Sequence, residues 1–219
     1  NGLHTGLVAH WPSRAKPGSV IKELISTADI TPSLVNELGG KLPKGTVDGK
    51  SFLDLLDHKN EPIHQYVYGA FTNCRIIDNR ERIYPIRSIR NKRYSLIYNP
   101  NHESKTSNVT LTQALKMIED STTKPKELNP AGSWVAKANK SKDEQELVHK
   151  LHNRDEFELY DLQKDPFEMK NVAGEPNYQK IQMKLKDALM AKLKALGDRD
   201  PVSTEKGFVS TVSRKGKKN

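Results

Sequence analysis

Between residues 66 and 98 the order of side chains leaves the backbone little choice. Tyr66-Val67-Tyr68-Gly69-Ala70-Phe71, Arg82–Arg90 and Tyr94-Ser95-Leu96-Ile97-Tyr98 are rich in β-branched and aromatic residues. Asn91-Lys92-Arg93 separates the last two, a length suited to a hairpin. By period two, Arg82, Tyr84, Ile86, Ser88 and Arg90 share one strand face, and Ile83, Pro85, Arg87 and Ile89 the other. Pro85 has no N–H to give a ladder, which predicts an edge or strand-start position there. Glu158-Leu159-Tyr160-Asp161-Leu162 is a fourth strand candidate, so a small antiparallel sheet is expected. Pro176 then opens a long helix with Ile181, Leu185, Leu189 and Leu193 at spacings of four, closed by Gly197.

The rest of the chain is less regular. Leu7-Val8-Ala9 reads as a short strand before Trp11-Pro12. Ser26-Thr27-Ala28-Asp29 precedes Ile30, Leu34, Val35 and Leu38, which predicts a helix with one apolar face, Pro32 in its first turn and Gly39-Gly40 at its end. Phe52, Leu53, Leu55 and Leu56 suggest an apolar turn or short helix packed beneath it. Leu111, Leu115 and Ile118 suggest another short helix, and Ser133 to His152 a solvated one with Trp134, Val135, Leu147, Val148 and Leu151 as its apolar positions. With 219 residues, 35% of them hydrophobic, the chain allows one large or two small domains with a thin core. No run of eighteen apolar residues is present, which excludes a membrane-spanning helix. A start at Asn1-Gly2-Leu3-His4, without Met, basic n-region or apolar h-region, suggests a fragment or processed piece.

Charge narrows the partners. The formal net charge is +9, but Arg214, Lys215, Lys217 and Lys218 crowd the last residues, and the tail after Asp198 is expected to be disordered. No aromatic residues interleave a basic stripe, so nucleic acid is an unsupported partner. Arg87, Arg90, Lys92 and Arg93 make the hairpin basic. They form either a solvated face with arginine stems on tyrosines, or a rim for a sulfated, phosphorylated or carboxylated ligand, since guanidinium forks suit oxyanions. Cys74 is the one cysteine, which excludes an internal disulfide and a thiolate zinc cluster. Asp161 to Glu168 is acidic, yet Asp165-Pro166 after a strand reads as a turn starter rather than a metal site. His149 and His152 lack a third ligand at a zinc spacing. Asn108-Val109-Thr110 and Asn139-Lys140-Ser141 fit glycosylation triplets that also arise by chance. Unaided, these patterns stop at an α+β domain with an anion-friendly rim.

Several segments in series resemble the C-terminal part of the sulfatase family, in the alkaline-phosphatase-like superfamily. They are Gly2–Pro12 (G-[LI]-[RH]-x-P-L-I-x-x-W-P), Ser26–Leu34 (S-x-x-D-[IL]-x-P-T-L), Asp48–Leu53 (D-G-x-S-[FL]-x) and Ile86–Ile97 (I-R-[ST]-[VI]-R-x-x-[RK]-Y). Glu158–Ala173 matches E-L-Y-D-L-x-x-D-P-x-E-x-x-N-L-A, and the whole resemblance spans nearly residues 1 to 198. His4, the segment through Ser133-Trp134-Val135 and His152-Asn153-Arg154 look like the sulfamidase, or heparan N-sulfatase-like, branch. Two departures stand out: Thr5-Gly6 replaces the usual Val-Pro, and Asn153-Arg154-Asp155 stands where the branch tends to have Arg-Pro.

The resemblance implies an α/β fragment plus an α+β part. Residues 1–64 would be the edge of the sulfatase catalytic sheet, 65–198 an antiparallel subdomain with the long C-terminal helix, and 199–219 a basic tail. It implies hydrolysis of sulfate esters or sulfamates of a sulfated glycan such as N-sulfoglucosamine. The nucleophile would be a formylglycine hydrate made from the cysteine of a C-x-P-S-R signature, with Ca²⁺ as Lewis acid; both belong to a part this chain lacks. His10-Trp11-Pro12-Ser13-Arg14 has only the P-S-R half, and Cys74 is followed by Arg75-Ile76-Ile77. No catalytic nucleophile or metal ligand is therefore expected here, and the isolated chain is expected to be inactive. His4, Arg87, Arg90 and Arg93 are the expected substrate-binding residues. Members of this family work in lysosomes, periplasm or outside the cell. Two competing readings are a non-catalytic module binding sulfated or other anionic glycans, and a truncated relic in which Leu7–Ala9 lacks sheet neighbours.

Overall fold

The computed structural model describes residues 5–57, 61–77, 80–103 and 141–198. Its strands are β1 (Val67–Ile77), β2 (Arg80–Arg90), β3 (Tyr94–Tyr98) and β4 (Phe157–Asp161), in one antiparallel sheet of order β1-β2-β3-β4. Its helices are α1 (Ile30–Glu37), α2 (Leu53–Leu56), α3 (Lys142–His152) and α4 (Gln179–Ala195). Two compact units share the chain: one holds Asn1–Gly69, Ile89–Leu96 and Leu159–Leu185, the other Ala70–Ser88, Ile97–Glu158 and Lys186–Asn219.

The expected sheet is present. The β2–β3 hairpin closes with Asn91 N–H donating to Tyr94 C=O at 2.9 Å, and Asn91 Oδ1 accepts from the N–H groups of Arg93 and Tyr94. Register between β3 and β4 is set at both ends. Leu162 N–H donates to Arg93 C=O at 2.7 Å, and Asn99 N–H to Glu156 C=O at 2.8 Å, so Tyr94 stands opposite Asp161 and Tyr98 opposite Phe157. The last pair stacks, with ring centroids 4.8 Å apart. β4 is the end strand, and its outer backbone is not left bare. Val172 N–H donates to Leu159 C=O, and Asn171 Oδ1 accepts from Leu159 N–H at 2.8 Å.

One expectation for β2 is corrected. β2 lies between β1 and β3, so Pro85 is in an interior strand and removes one ladder donor there. Burial along β2 does not alternate: Tyr84, Pro85, Arg87, Ser88 and Ile89 are buried, with Ile86 between them half-buried. An interior strand shielded on both sides loses the alternation that an open sheet face would show.

α4 follows its pattern. Leu185, Leu189 and Leu193 are buried and Ile181 half-buried, while Lys180, Lys184 and Lys194 face outward. Gly197, at φ +74°, turns the chain, and Asp198 N–H reaches Leu193 C=O at 2.9 Å. In the first unit Phe52, Leu53, Leu55 and Leu56 form a cluster with Trp11, Ala15, Ile21, Ile25 and Ile63 against it.

Residues 5–57 depart most from the expectation. Leu7-Val8-Ala9 is not a strand: it has no regular structure and is exposed, Val8 at 94%. A strand needs a paired neighbour for its N–H and C=O groups, and none of the described residues supplies one. α1 forms where expected, from Ile30 with Pro32 in its first turn to a Gly39 in the left-handed region. Its faces are inverted, however. Ile30, Leu34 (50%) and Leu38 (86%) are exposed, and Asp29, Pro32 and Ser33 are buried. The expected Leu111–Ile118 helix, the Ser133–Val135 start of α3, the glycosylation triplets and the basic tail lie outside the described residues.

Candidate functional site

The basic hairpin is the place to look for anion chemistry, and each of its expected arginines already has a carboxylate. Arg87, in the second unit, is 5% exposed. Its Nε donates to Asp198 Oδ2 at 2.6 Å, and its Nη1 to the carbonyls of Phe71 at 2.9 Å and Ile86 at 3.1 Å. Asp198 sits just past Gly197, so the turn ending α4 delivers this partner. In the first unit, Arg90 Nη1 is 3.5 Å from Glu168 Oε1. Arg93 holds Asp161 two-handed, Nε to Oδ1 at 3.2 Å and Nη2 to Oδ2 at 3.0 Å. Lys92 pairs with Glu23.

The Arg93–Asp161 pair has an electrostatic signature. The side-chain hydrogen bond from Arg93 and then its charge hold the Asp161 carboxyl below the usual carboxylate range, against burial, which opposes them. The same hydrogen bond raises the Arg93 guanidinium. Arg93 keeps 44% of its side chain exposed and lies over the Tyr94 ring, its guanidinium carbon 4.9 Å from the centroid. Among the three arginines, it has the most donor surface left for a ligand.

The partners of Arg90 and Arg93 come from one segment, Glu158 to Ala173. Glu158 accepts from Asn99 Nδ2 at 2.9 Å and from Arg154 Nε and Nη2 at 2.7 and 2.8 Å. Asp161 accepts from Arg93 and, through its backbone carbonyl, from the N–H groups of Lys164 and Asp165. Asp165 Oδ2 accepts from Lys170 N–H at 2.8 Å, which makes Asp165-Pro166 the turn starter expected of it. Glu168 meets Arg90 from a left-handed backbone, φ 56°. Asn171 ties the returning chain to β4. The spacing R-x-x-R on the hairpin and D-x-x-x-x-x-x-E after β4 are thus two halves of one lock.

A second polar knot escaped the sequence reading. Asp29 is fully buried, and its carboxylate accepts from Ser26 N–H at 2.7 Å, Lys50 N–H at 2.8 Å and His64 Nε2 at 2.9 and 3.0 Å. Ser33 Oγ donates to Asp29 C=O and accepts from Phe52 N–H. Gly49 passes so close that a Cβ there would lie 2.0 Å from Ala28 O. The capping box of Ser26 and Asp29 was a visible signal; the long-range donors Lys50 and His64 were not. His4 lies outside the described residues, as does the side chain of Cys74, a residue of β1. His149 is exposed at the last turn of α3, beside the half-buried His152.

The N-sulphoglucosamine sulphohydrolase C-terminal family matches residues 1–129 and 130–195. The chain belongs to that family. It is similar to an ulvan-active sulfatase of Formosa agariphila, 37% identical over 197 residues that make 90% of this chain and 34% of the relative. A human N-sulphoglucosamine sulphohydrolase is 22% identical over 198 residues, 82% of this chain and 36% of that protein. The chain therefore spans about a third of the length of the curated relatives it matches. The solved structure of BT4656 with its substrate D-glucosamine-2-N,6-O-disulfate shares the fold, with a TM-score of 0.52 and 20% identity over 89% of this chain and 29% of that one. The sulfatase resemblance and its C-terminal placement thus hold.

Sulfatases in general use Ca²⁺ and formylglycine, and the described residues of this family member do not fit either. No three His, Cys, Asp or Glu side chains among the described residues converge as a metal would require. Asp29, Glu158 and Asp161 spend their oxygens on N–H and guanidinium donors. The one cysteine, Cys74, is followed by Arg75-Ile76-Ile77, so it has no proline, serine and arginine after it. No helix among the described residues is long and apolar enough to cross a membrane.

Proposed function

We propose that this chain is the C-terminal part of a glycan sulfatase, an enzyme hydrolysing sulfate esters or sulfamates, with a sulfated glucosamine such as N-sulfoglucosamine as the substrate class. The family match along residues 1–195 carries this reading, and the relatives named above are sulfatases. The formylglycine and the Ca²⁺ site would then belong to the part of the enzyme outside the matched third. The locked hairpin supports a division of labour in which this portion contributes shape and substrate contacts. Arg93 is the best placed of the expected substrate residues, because its side chain is half exposed while Asp161 fixes its orientation. Arg90 lies behind Glu168, and Arg87 is sealed by Asp198 and two carbonyls. His4 stays with this proposal as a residue of the pocket wall.

Sulfate release from N-sulfoglucosamine and from 6-O-sulfated glucosamine is the test. The chain alone should release none, and the chain joined to a sulfatase portion carrying C-x-P-S-R should release it. In that joined enzyme Arg93→Lys should raise KM more than it lowers kcat, since a point charge replaces a fork. No turnover by the joined, folded enzyme on any sulfated glucosamine would defeat the reading. The alternative of a stand-alone module for anionic glycans predicts saturable, salt-sensitive heparin binding by the isolated chain. The carboxylate pairing of all three arginines argues for weak binding instead.

A further inference from the structure

Lys164 is held in place without being neutralised. Arg87, Arg90, Lys92 and Arg154 each end on a carboxylate, whereas the Lys164 ammonium donates to a phenol, Tyr178 Oη, at 3.1 Å. An ammonium has only donors, so Tyr178 Oη is the acceptor in that bond and keeps its own O–H to give. Arg93 stands beside the same rings. Its guanidinium carbon is 4.9 Å from the Tyr94 centroid, Lys164 Nζ is 5.5 Å from the Tyr178 centroid, and the two tyrosines meet edge to face at 6.4 Å. Tyr178 thus sets Lys164, and Asp161 sets Arg93, about one aromatic pair. The hydrogen bond with Tyr178 raises the Lys164 ammonium and the charge of Arg93 opposes the rise, so each cation lies in the other's field. Asp161 spends its oxygens on Arg93 Nε and Nη2 and on Gln163 N–H. Both N–H groups of Arg93 Nη1 are left without a partner among the described residues. Two cations against one carboxylate leave the group a positive charge, which an oxyanion would cancel.

We propose that Arg93, Lys164 and Tyr178 form an oxyanion subsite for a glycan chain. It takes a sulfate or a uronate carboxylate between the open edge of the guanidinium and the ammonium–phenol pair. The inference rests on the glycan reading above and deepens the role given there to Arg93. Lys164 fills an unspecified position of the E-L-Y-D-L-x-x-D-P series, and Tyr178 lies beyond that series. The subsite therefore bears on which anionic glycan this chain holds, and takes no part in breaking the sulfate bond.

The experiment titrates the 219-residue chain at low salt with a heparin tetrasaccharide, and with its desulfated, N-acetylated counterpart, which keeps only the carboxylates. Backbone amide shifts are followed by NMR. The expected result is weak, saturable binding with the shifts gathered at residues 93–94, 161–164 and 178. Binding of the sulfated sugar alone makes sulfate the ligand group, and equal binding of both makes it the carboxylate. Lys164→Gln should weaken binding about threefold and Tyr178→Phe about twofold, each with the rest of the amide spectrum unchanged. Lys170→Gln removes the same charge from an exposed lysine already paired with Glu175 and should bind as the wild type does. Equal weakening by Lys164→Gln and Lys170→Gln would overturn the proposal, because general charge attraction would then explain the binding. So would shifts centred elsewhere, or no saturable binding by the folded chain. Sulfate release by the joined enzyme separates the two readings. Release without this binding removes the subsite and keeps the sulfatase, and Lys164-dependent binding without release does the reverse.

Discussion

α1 and α4 carry the same apolar rhythm and come to opposite ends. Ile30, Leu34 and Leu38 repeat every four residues, as do Ile181, Leu185, Leu189 and Leu193. In α4 the repeat is the buried face, with Leu185 and Leu189 almost without exposure. In α1 the repeat points to water, and the helix is held by its polar side, through Asp29 and Ser33. A helical period therefore says which residues share a face, and leaves open whether that face meets this chain or another surface. Around α4 the chain supplies its own cover. Around α1 the described residues supply hydrogen-bond donors instead, and these fix the helix with its leucines outward.

Substitutions should separate the two helices sharply. The largest effect belongs to Asp29→Ala, which leaves Ser26 N–H, Lys50 N–H and His64 without their shared acceptor; urea denaturation should show a loss of about 3–5 kcal/mol. Leu189→Ala in α4 should cost about 2–5 kcal/mol through lost burial and a cavity, whereas Leu34→Ala in the isolated chain should stay within about 0.5 kcal/mol. Comparable costs for the two leucines would erase the contrast. Ser26→Ala removes the side-chain cap before α1 and should cost about 1 kcal/mol, with the loss confined to the first unit by hydrogen exchange.

The lock between the hairpin and the segment after β4 has a pH signature of known sign. Arg93 depresses the Asp161 carboxyl in the folded chain, so the pair's stabilisation is complete above the unfolded value of about 3.9 and is lost as pH falls through the lower folded one. Asp161→Asn should lower the thermal midpoint at pH 7, and the gap to the wild type should close only below about pH 4. The exposed flank of Arg93 keeps this the smallest of the expected effects. A gap that closes already near pH 6 would show that another group carries it.

Much of this was legible in the residue order. The hairpin, the fourth strand, the Asp165-Pro166 turn, the glycine ends of α1 and α4 and the family series all rest on neighbours within a few positions, where turn chemistry and periodicity act. The arginines were visible as a basic group, but their partners were not. Arg87 and Asp198 are 111 residues apart, and Arg90 and Glu168 are 78 apart. A carboxylate that distant looks like any other surface charge until the fold brings it in. The same holds for His64 against Asp29, 35 residues away. The strand expected at Leu7–Ala9 failed for a related reason: strands are made by pairing, and no local pattern creates the partner.

By itself, the sequence determined most of the described elements, though neither the absence of a strand at Leu7–Ala9 nor the full length of β1, and membership of a sulfatase family, because these depend on local conformational preference or on motifs read in series. Only the tertiary structure decided which side of α1 is inside and which cations are neutralised. Both are settled by groups far apart in the chain. A buried carboxylate must find donors wherever the fold offers them, and a hydrophobic face is buried only where a surface exists to meet it.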